Sequence, residues 1–409
     1  MNIFRKKKYE SSGSLSALAL ARFRKNKLAM AAFTYIVLAV VVSILGYLII
    51  PDQTPFANDQ QLELATKKPG FMVTILHREL NREIEQPNII LKMLFGANKT
   101  DESIPIYSFE IVGDKVLIES YTGMQPNDGL KSTYDITDIA FSLNKEIPVV
   151  KSKNSIYKIS KSDGSTIEIS RSDIISIAKN NIESHKYFLG TDRFGRDYLS
   201  QLIIGSRVSL SVGFIAVLIS LIVGIFLGAT AAYFGGWLDN IIVWFINVVW
   251  SIPTLLLVIA ITMALGKGYW QVFIAVGLTM WVEVARVVRG QVMSIRQQEF
   301  VEAGVALGYT DFRIIFQHIL PNVMSPLIVI SAANFASAIL IEAGLSFLGI
   351  GVQPPTPSWG IMIKEHYGYI ILDYAYLAIL PGIAIMFMVL AFMIVGNGLR
   401  DALDVKEVK

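Results

Sequence analysis

One uncharged run of 23 residues, at positions 28–50, limits what this chain can fold into. A helix of that length spans about 30 Å of hydrocarbon, which is the thickness of a bilayer core. A signal peptide has a shorter apolar core, of about 7–15 residues, and a cleavage site of small residues. Here Pro51 and Asp52 follow the run directly, without such a site. We therefore predict a retained first transmembrane helix at positions 28–50.

The composition also indicates an integral membrane protein. Hydrophobic residues make up 53% of the 409-residue chain and charged residues only 17%, whereas soluble domains carry about 25% charged residues. The sequence contains no cysteine, which excludes disulfides, thiolate catalysis and cysteine-ligated metal sites. The net charge of +3 is too small to indicate a nucleic-acid-binding protein, so no nucleic acid is expected as a partner.

Apolar runs return near residue 208 and predict five more transmembrane helices. Their approximate positions are 208–234, 241–265, 269–288, 323–350 and 374–395. Gly224 and Gly228 form a small-xxx-small pair, which predicts close helix packing in the second span. Residues 1–27 hold eight Lys and Arg side chains against one acid. By the positive-inside rule they keep the N-terminus in the cytoplasm, and six spans return the tail, 401–409, to the same side.

Residues 51–186 differ from the rest of the chain, with frequent charges, Asn and Ser and no long apolar run. Two β-rich segments surround the turn dipeptides Gly113-Asp114 and Asp163-Gly164, and the second is a strong hairpin signal. We predict an inserted α+β domain outside the cytoplasm. It either docks an external partner or is a decoration without a direct role.

A polar segment, 289–321, separates the predicted fourth and fifth spans and falls on the cytoplasmic side of this topology. Gly308 is placed to end one short helix in a left-handed turn. Thr310 or Asp311 is placed to cap the next helix, and Pro321 is placed to end that helix or to start the next span. The predicted helix–turn–helix offers an apolar contact surface to a partner. The side chains of this surface are Phe300, Val301, Leu307, Phe312, Ile315 and Phe316.

The same segment resembles a family motif. The order Glu302-Ala303-Gly304, then Gly308, then His318-Ile319-Leu320-Pro321 is similar to the EAA loop of bacterial ABC-importer permeases. In that family the loop contains the coupling helix, which fits a cleft on the cytoplasmic ATPase. Gly304 stands where the family usually has a second Ala, which is a mild departure.

Further stretches resemble the C-type permease of the oligopeptide, dipeptide and nickel importers (OppC/DppC-like). They lie at positions 21–28, 189–197, 251–253, 285–290, 342–351, 357–360 and 399–404. Together with the loop motif, these stretches align with the family in a single consistent order. The resemblance covers about 1–50 and 187–405. Two features depart from the family pattern: the segment 51–186 is far longer than the usual first outer loop, and Asn397 replaces a common acidic residue.

This resemblance implies a fold and a function. The fold is an all-α polytopic membrane protein with six transmembrane helices, here with the α+β domain between the first two. The function is that of an ABC-importer permease in the bacterial inner (plasma) membrane, which forms the translocation pathway for di- and oligopeptides by alternating access. The implied partners are a second permease, two ATPase subunits that use ATP and Mg²⁺, and an extracytoplasmic solute-binding protein.

No enzyme activity is expected of this chain itself. The sequence has no Gly-x-x-x-x-Gly-Lys-Ser/Thr phosphate-binding motif, and it shows no Ser/His/Asp or paired-carboxylate arrangement for hydrolysis. Its four histidines lack the spacing of metal ligands. We therefore predict no catalytic residue, no bound cofactor and no metal site.

Several charged residues outside the loop are candidates for functional positions. Glu342 either faces the substrate pathway or holds two helices together, because an ionisable group at membrane depth is costly and faces a cavity or a partner. Glu283 either lines the pathway or reaches the membrane interface beside Arg286. Before the second span lies a motif at the predicted outer interface, whose charged members form either a fixed ion-pair turn or a substrate contact. The motif residues are Thr191, Asp192, Gly195, Arg196 and Asp197.

Other functions stay open on these observations. The same permease architecture imports nickel and other small solutes, with selectivity resting mostly on the binding protein. A secondary transporter would carry ionisable residues within several spans. A membrane-anchored sensor would need a cytoplasmic output domain, whereas only about fourteen residues follow the last predicted span.

Overall fold

The computed structural model describes residues 15–123, 125–152, 155–266 and 268–403. Positions 1–14 and 404–409 of the two predicted cytoplasmic ends therefore lie outside the described residues. The chain divides into two compact units. We call Met1–Val42, Gly205–Tyr367 and Ala378–Lys409 the helical unit, and Ser43–Ile204 with Gly368–Leu377 the mixed unit.

Fourteen α-helices form within the described ranges. They are α1 (Leu15–Lys25), α2 (Lys27–Ile49), α3 (Ile89–Phe95), α4 (Ile136–Ala140), α5 (Arg171–Asn180), α6 (Tyr198–Phe234), α7 (Gly236–Trp250), α8 (Thr254–Leu265), α9 (Tyr269–Arg296), α10 (Glu299–Ala306), α11 (Asp311–Arg313), α12 (Leu320–Phe347), α13 (Trp359–His366) and α14 (Tyr376–Leu403). A π-helical segment, Ile314–Ile319, joins α11 to α12.

Five helices are long and apolar enough to cross a membrane. They are α2, α6, α9, α14 and the continuous stretch Asp311–Phe347. Helices α7 and α8 meet at an angle of 93° and make a sixth span if the bent pair counts as one. The chain is therefore a helical, polytopic membrane protein with five or six candidate spans.

The prediction of one helix over positions 241–265 is wrong, because the chain breaks between α7 and α8. Pro253 lies at the break and α8 begins at the next residue, Thr254. Proline has no N–H to donate and restricts the residue before it, so an α-helix does not continue through this position without distortion.

Other helices extend beyond the predicted spans. Helix α6 begins at Tyr198 rather than near 208, α9 continues to Arg296 rather than 288, and α14 continues to Leu403 rather than 395. Apolar composition marks the part of a helix that is suited to hydrocarbon. It does not mark polar turns that extend the same helix, which is why the predicted ends are too short.

Small residues bring α6 and α9 close together in the helical unit. A Cβ atom at Gly224 would lie 2.5 Å from Val284 Cβ, and one at Gly228 would lie 2.5 Å from the Ala285 carbonyl oxygen. On α9, a Cβ atom at Gly277 would lie 2.7 Å from Ile219 Cβ. Real Cβ atoms do not approach so closely, so the contact requires glycine at these positions. The predicted role of the Gly224–Gly228 spacing in helix packing is confirmed.

The mixed unit is built on two antiparallel sheets. Its strands are β1 (Phe71–Glu79), β2 (Asp101–Val112), β3 (Lys115–Ser120), β4 (Lys131–Asp135), β5 (Val150–Lys151), β6 (Ile156–Ser160), β7 (Thr166–Ser170) and β8 (Ile182–Tyr187). The larger sheet has the order β4-β3-β2-β1-β8 and the smaller one β5-β6-β7. Both predicted turns occur, with Gly113 joining β2 to β3 at φ +62° and Gly164 joining β6 to β7 at φ +79°.

A buried apolar cluster joins the two sheets to α4 and α5. It includes Leu76 on β1, Val116 on β3, Ile139 on α4, Ile159 on β6 and Ile174 on α5. Strands and helices thus share one core, and the inserted segment has the predicted α+β character.

The close α6–α9 contact generates a prediction about stability. Gly228→Ala should lower the thermal unfolding midpoint of the purified chain, because overpacking of this kind costs about 1–3 kcal/mol. Gly290→Ala is the matched control within α9, since an added Cβ atom there has no neighbour within 4 Å. It should keep or raise the midpoint, because Ala gains about 0.5–1 kcal/mol over Gly inside a helix. Equal midpoints for the two variants would contradict the contact.

Candidate functional site

The predicted helix–turn–helix forms between α9 and α12, and we call residues 298–321 the loop segment. Gly308 ends α10 with φ +76°. Its N–H donates to the Val305 carbonyl at 2.9 Å, and the Tyr309 N–H donates to the Gly304 carbonyl at 3.1 Å. This pair of hydrogen bonds is the Schellman motif, which needs a left-handed residue at the position of Gly308. The predicted helix end at Gly308 is therefore confirmed.

The second half of the loop segment resolves two alternatives that the sequence left open. Thr310, rather than Asp311, caps α11, because its hydroxyl oxygen accepts from the Arg313 N–H at 3.4 Å. Pro321 lies in the first turn of α12, where its missing N–H is tolerated. Leu320 is the half-buried first residue of α12. The loop segment thus continues into α12 through the π-helical segment.

An aromatic stack holds the turn of the loop segment. The Arg313 guanidinium lies 4.0 Å from the centre of the Tyr309 ring. The His318 ring is stacked on the same tyrosine with a centroid distance of 5.6 Å and an interplanar angle of 16°. Arg313 Nε also donates to Gln317 Oε1 at 3.2 Å. The family-motif histidine therefore serves the shape of the loop segment.

Buried contacts attach the loop segment to α6 and α9. Val301, Ile314 and Ile319 are buried in one apolar cluster with α9 residues such as Val284 and Val288. A hydrogen bond between α6 and the loop segment reinforces the attachment.

The Tyr233 hydroxyl, at the end of α6, donates to Asp311 Oδ1 at 2.7 Å. The two residues are 78 positions apart. Sequence reasoning missed Tyr233, and no local spacing signals the pair. The bond links the second half of the loop segment to α6.

The opposite face of the loop segment is exposed. Glu302 and Ala303 are exposed on α10, while Gly304 faces inward. Leu307 and Phe312 are 71% and 70% exposed, and the Phe312 and Phe316 rings lie 4.3 Å apart. No residue in the described ranges forms an ion pair with Glu302. An apolar patch of this kind marks an interaction surface rather than a core.

The predicted apolar surface needs one correction. Val301 is buried and Ile315 is half-buried, so they belong to the attached face. Phe300, Leu307, Phe312 and Phe316 remain exposed. A helix presents opposite faces to core and exterior, so apolar residue type alone does not say which face a residue occupies.

Glu342 lies fully buried where α6 and α12 meet. The Ser346 hydroxyl donates to Glu342 Oε1 at 2.7 Å, and the Ser209 hydroxyl donates to Oε2 at 3.2 Å. Ser209 is on α6 and Ser346 is on α12, so the carboxyl connects the two helices. Because both oxygens have donors, this placement supports the helix-contact alternative.

Glu283 is placed differently. It is exposed on α9 and lines a cavity of about 420 Å³ beside the α7–α8 break, together with Trp250, Pro253 and Thr279. Arg286 contacts side chains other than Glu283. It donates a hydrogen bond to Asn247 Oδ1 at 2.9 Å, and its guanidinium carbon lies 4.1 Å from the centre of the Trp250 ring. The cavity placement supports the pathway alternative for Glu283.

The motif before α6 forms a tight turn in the mixed unit. Arg196 Nε donates to Asp192 Oδ2 at 2.6 Å, and both side chains are buried. Thr191 accepts from the Lys67 N–H at 2.8 Å. Gly195 has φ +74°, and an added Cβ atom would overlap the backbone of Gln61. The ion pair between Asp192 and Arg196 therefore supports the fixed-turn alternative for these two residues.

Asp197 is not part of that ion pair. Its Oδ2 accepts hydrogen bonds from the Ser200 N–H at 2.8 Å and from the Ser200 hydroxyl. Through these bonds the Asp197 side chain caps the start of α6. Its Oδ1 is buried without a hydrogen-bond partner among the described residues. The structure thus separates Asp197 from the other charged residues of the motif.

Comparison with known proteins finds two family matches. Residues 201–408 match the binding-protein-dependent transport system inner membrane component. Residues 14–69 match the N-terminal transmembrane domain of oligopeptide transport permease C. Residues 70–200 lie between the two matches.

Individual relatives share the same parts of the chain. The dipeptide transport system permease protein DppC of Alkalihalophilus pseudofirmus is 42% identical over 223 residues, which are 54% of this chain and 73% of that protein. The glutathione transport system permease protein GsiD of Pectobacterium atrosepticum is 39% identical over 227 residues, 56% of this chain and 75% of that protein. A solved structure of the MetNI methionine ABC transporter, in inward-facing conformations, aligns with 50% of this chain and 96% of its own at 17% identity and a TM-score of 0.42.

Two glycines of the loop segment are expected to respond differently to alanine. At Gly304 an added Cβ atom would lie 3.4 Å from Tyr309 Cδ2, which is ordinary contact. Gly304→Ala should therefore stabilise α10 by about 0.5–1 kcal/mol through helix propensity. Gly308→Ala should destabilise the turn by about 1–2 kcal/mol, because the left-handed conformation strains any Cβ-bearing residue.

Hydrogen exchange of the α10 amides in the purified chain measures both effects. Exchange should slow in Gly304→Ala and quicken in Gly308→Ala, with α14 unchanged in both. Quicker exchange in Gly304→Ala would contradict the packing described for that position.

Proposed function

The chain belongs to the family of binding-protein-dependent transport system inner membrane components, and we propose that it forms the translocation pathway for short peptides across a bacterial inner membrane. It is a permease subunit of an ABC importer. Permeases of this family are non-catalytic and carry no cofactor of their own. The observation that carries the proposal is the match over residues 201–408, which includes the whole loop segment.

The relatives support peptides as the solute. One is named as a dipeptide permease and another as a permease for glutathione, which is itself a tripeptide. A dipeptide and a tripeptide share a compact size, a free ammonium group and a carboxylate. Nickel, the alternative suggested by the wider family, is a metal cation with neither an ammonium group nor a carboxylate. We therefore assign short peptides as the solute class.

We propose that the exposed face of the loop segment docks on an ATPase subunit. Glu302 has no ion-pair partner among the residues that the structure describes, so its charge is available to a partner. The exposed Leu307, Phe312 and Phe316 supply apolar contact around it. A short helix with such a face suits a groove on another protein. His318 and Pro321 shape the loop segment from within and are not proposed as contacts.

The same proposal includes an orientation in the membrane. Basic side chains concentrate in residues 1–27 and around the loop segment, where Arg289, Arg296 and Arg313 lie. The positive-inside rule therefore supports cytoplasmic N- and C-termini and a cytoplasmic loop segment. The predicted insert, 51–186, is then extracytoplasmic. The wider assembly would comprise a second permease, two ATPases that use ATP and Mg²⁺, and an external solute-binding protein.

A displacement of the loop segment would be transmitted directly to the membrane-spanning helices. The loop segment continues through the π-helical segment into α12. It is also attached to α6 by the Tyr233–Asp311 hydrogen bond and to α9 by the buried Val301. Displacement of the loop segment would therefore move the helices that carry Glu342 and Glu283. Nucleotide and loaded binding protein can shift this equilibrium only by binding one orientation better than the other.

Uptake by the complete transporter tests the docking role. Glu302→Lys should reduce ATP-dependent uptake of a radiolabelled dipeptide into proteoliposomes at least about tenfold, because like charges at a contact cost several kcal/mol. Gly308→Pro should do the same by breaking the helix end. Membrane insertion of both variants should persist. Glu299→Lys, a reversal at an exposed acid on the same helix but outside the motif, is the control and should retain most uptake.

Uptake at the wild-type rate in both loop variants would remove the loop segment from the mechanism. Co-purification of the ATPases provides the second readout. It should be lost in Glu302→Lys and retained in Glu299→Lys.

The route through α6 is tested separately. Tyr233→Phe removes only the hydroxyl that donates to Asp311, so the ATPases should still co-purify. Uptake should fall while ATP hydrolysis continues, because the hydrogen bond from α6 to the loop segment is lost and only the buried apolar contacts between them remain. A variant in which uptake and hydrolysis keep their wild-type ratio would show that this bond is not needed for coupling.

A further inference from the structure

The mixed unit contains a cavity that the proposed pathway does not use. Its volume is about 450 Å³, within the range of roughly 300–1,000 Å³ typical of small-molecule sites. Its walls include His77 on β1, Asp101 on β2, and His185 and Tyr187 on β8. These strands lie in the stretch 70–200, between the two family matches. Other wall residues, such as Asp52 and Asp59, lie within the family match over residues 14–69, so the cavity is built only partly outside the matches.

Asp197 brings a buried, unpartnered oxygen to this cavity. The residue lines the cavity and is only 4% exposed. Oδ2 is satisfied by Ser200, but Oδ1 accepts no hydrogen bond from any residue that the structure describes. A buried carboxylate oxygen without a donor is costly, so the position calls for a donor from outside the chain.

A second carboxylate near Asp197 increases this cost. Burial raises the pKa of the Asp197 carboxyl, hydrogen bonds from Ser200 and the nearby His185 oppose the rise, and the Asp52 carboxylate adds to it. A cation placed at Oδ1 would relieve both the desolvation and the repulsion between the two carboxylates.

The other acids of the cavity already have partners. His77 Nδ1 lies 2.5 Å from Asp101 Oδ2, and Lys99 Nζ lies 2.5 Å from Asp59 Oδ2. Asp52 accepts from the Thr54 and Asp59 backbone N–H groups at 2.9 and 3.0 Å. Asp197 is thus the cavity acid that has a buried carboxylate oxygen without a hydrogen-bond partner among the described residues.

The donor set distinguishes between kinds of cation. The described residues hold no group of three or more His, Asp or Glu side chains that suits a metal ion. A single buried carboxylate oxygen without a hydrogen-bond partner suits an ammonium group, which donates up to three hydrogen bonds. Lys92 also lines the cavity and has no ion-pair partner among the described residues. A cation and an anion site in one cavity favour a zwitterion over a simple amine.

We propose that this cavity binds a short peptide through its protonated amino terminus, with Asp197 Oδ1 as the acceptor. The proposal rests on the proposed function for the identity of the peptide, which is the imported solute. Asp197 also caps α6, so an occupied cavity contacts the residue that starts this helix. The insert is then a solute-receiving element rather than a decoration.

Calorimetric titration of the full chain in nanodiscs, without other subunits, tests the proposal at pH 7. The probes are alanyl-alanine, its N-acetyl derivative and ethylamine. Alanyl-alanine should bind, and N-acetylation should weaken binding at least about tenfold, because a charged hydrogen bond is lost. Ethylamine, which lacks the carboxylate, should bind more weakly than the dipeptide. Equal affinity for ethylamine and the dipeptide would overturn the assignment to peptides.

Asp197→Asn locates the binding to this cavity. The amide oxygen can still accept from Ser200, so the helix cap is kept while the charge is removed. Affinity for alanyl-alanine should fall at least about tenfold. Asp163→Asn, the same change at the exposed β6–β7 turn, is the control and should leave affinity unchanged. Unchanged affinity in Asp197→Asn would overturn the proposal.

If Asp197→Asn unfolds, the comparison of free and N-acetylated dipeptide on the wild-type chain still decides whether an ammonium group is recognised. If the chain alone does not bind alanyl-alanine but the complete transporter imports it, this inference fails and the proposed function stands. If the complete transporter imports no dipeptide, the proposed function itself fails.

Discussion

The helical unit depends on the close contact of α6 with α9. In a bilayer the hydrocarbon solvates apolar side chains well, so helices associate through tight packing of small residues rather than through expulsion of water. Gly224 and Gly228 on α6 and Gly277 on α9 provide that packing, since a side chain at each position would collide with the neighbouring helix. The core that holds the loop segment is built on this pair, because its buried residues come from α6, α9 and the loop segment together.

The loop segment has two faces with different tasks. Val301 and Ile314 are buried against the helices, whereas Glu302, Leu307 and Phe312 are exposed. The Schellman turn at Gly308 sets the angle between the two halves and so decides which side chains face each way. In the proposed docking role, a rigid turn would matter because a flexible one would absorb the displacement that the loop segment is proposed to transmit. The continuous backbone from Asp311 to Phe347 serves the same end.

The mixed unit shows how one short motif serves two purposes. Asp192 and Arg196 neutralise each other in a buried turn, which holds the chain before α6. Asp197, one residue further, caps α6 with one oxygen, while its other oxygen is buried without a hydrogen-bond partner among the described residues. The Asp192–Arg196 turn therefore positions the Asp197 side chain. The cavity walls combine residues between the two family matches, Asp197 among them, with residues of the match over 14–69 such as Asp52 and Asp59.

The amino-acid sequence by itself determined the features that depend on neighbouring residues. The spans follow from uncharged runs, the helix end from Gly308 and the hairpins from Gly113 and Gly164, because each involves contacts within a few positions. The sequence narrowed the cap of α11 to Thr310 or Asp311, and the structure decided for Thr310. The family motif in the loop segment was also readable, because its residues lie in one short stretch.

Only the tertiary structure decided the features that join distant positions. Tyr233 meets Asp311 across 78 residues, and Ser209 meets Glu342 across 133. The 93° angle between α7 and α8, the burial of Val301 and the cavity beside Asp197 likewise depend on which elements pack together. Hydrophobic periodicity indicates that one face of a helix or strand is buried, but it does not identify the element that covers this face. The contacting residues are therefore undetermined until the helices and strands are placed.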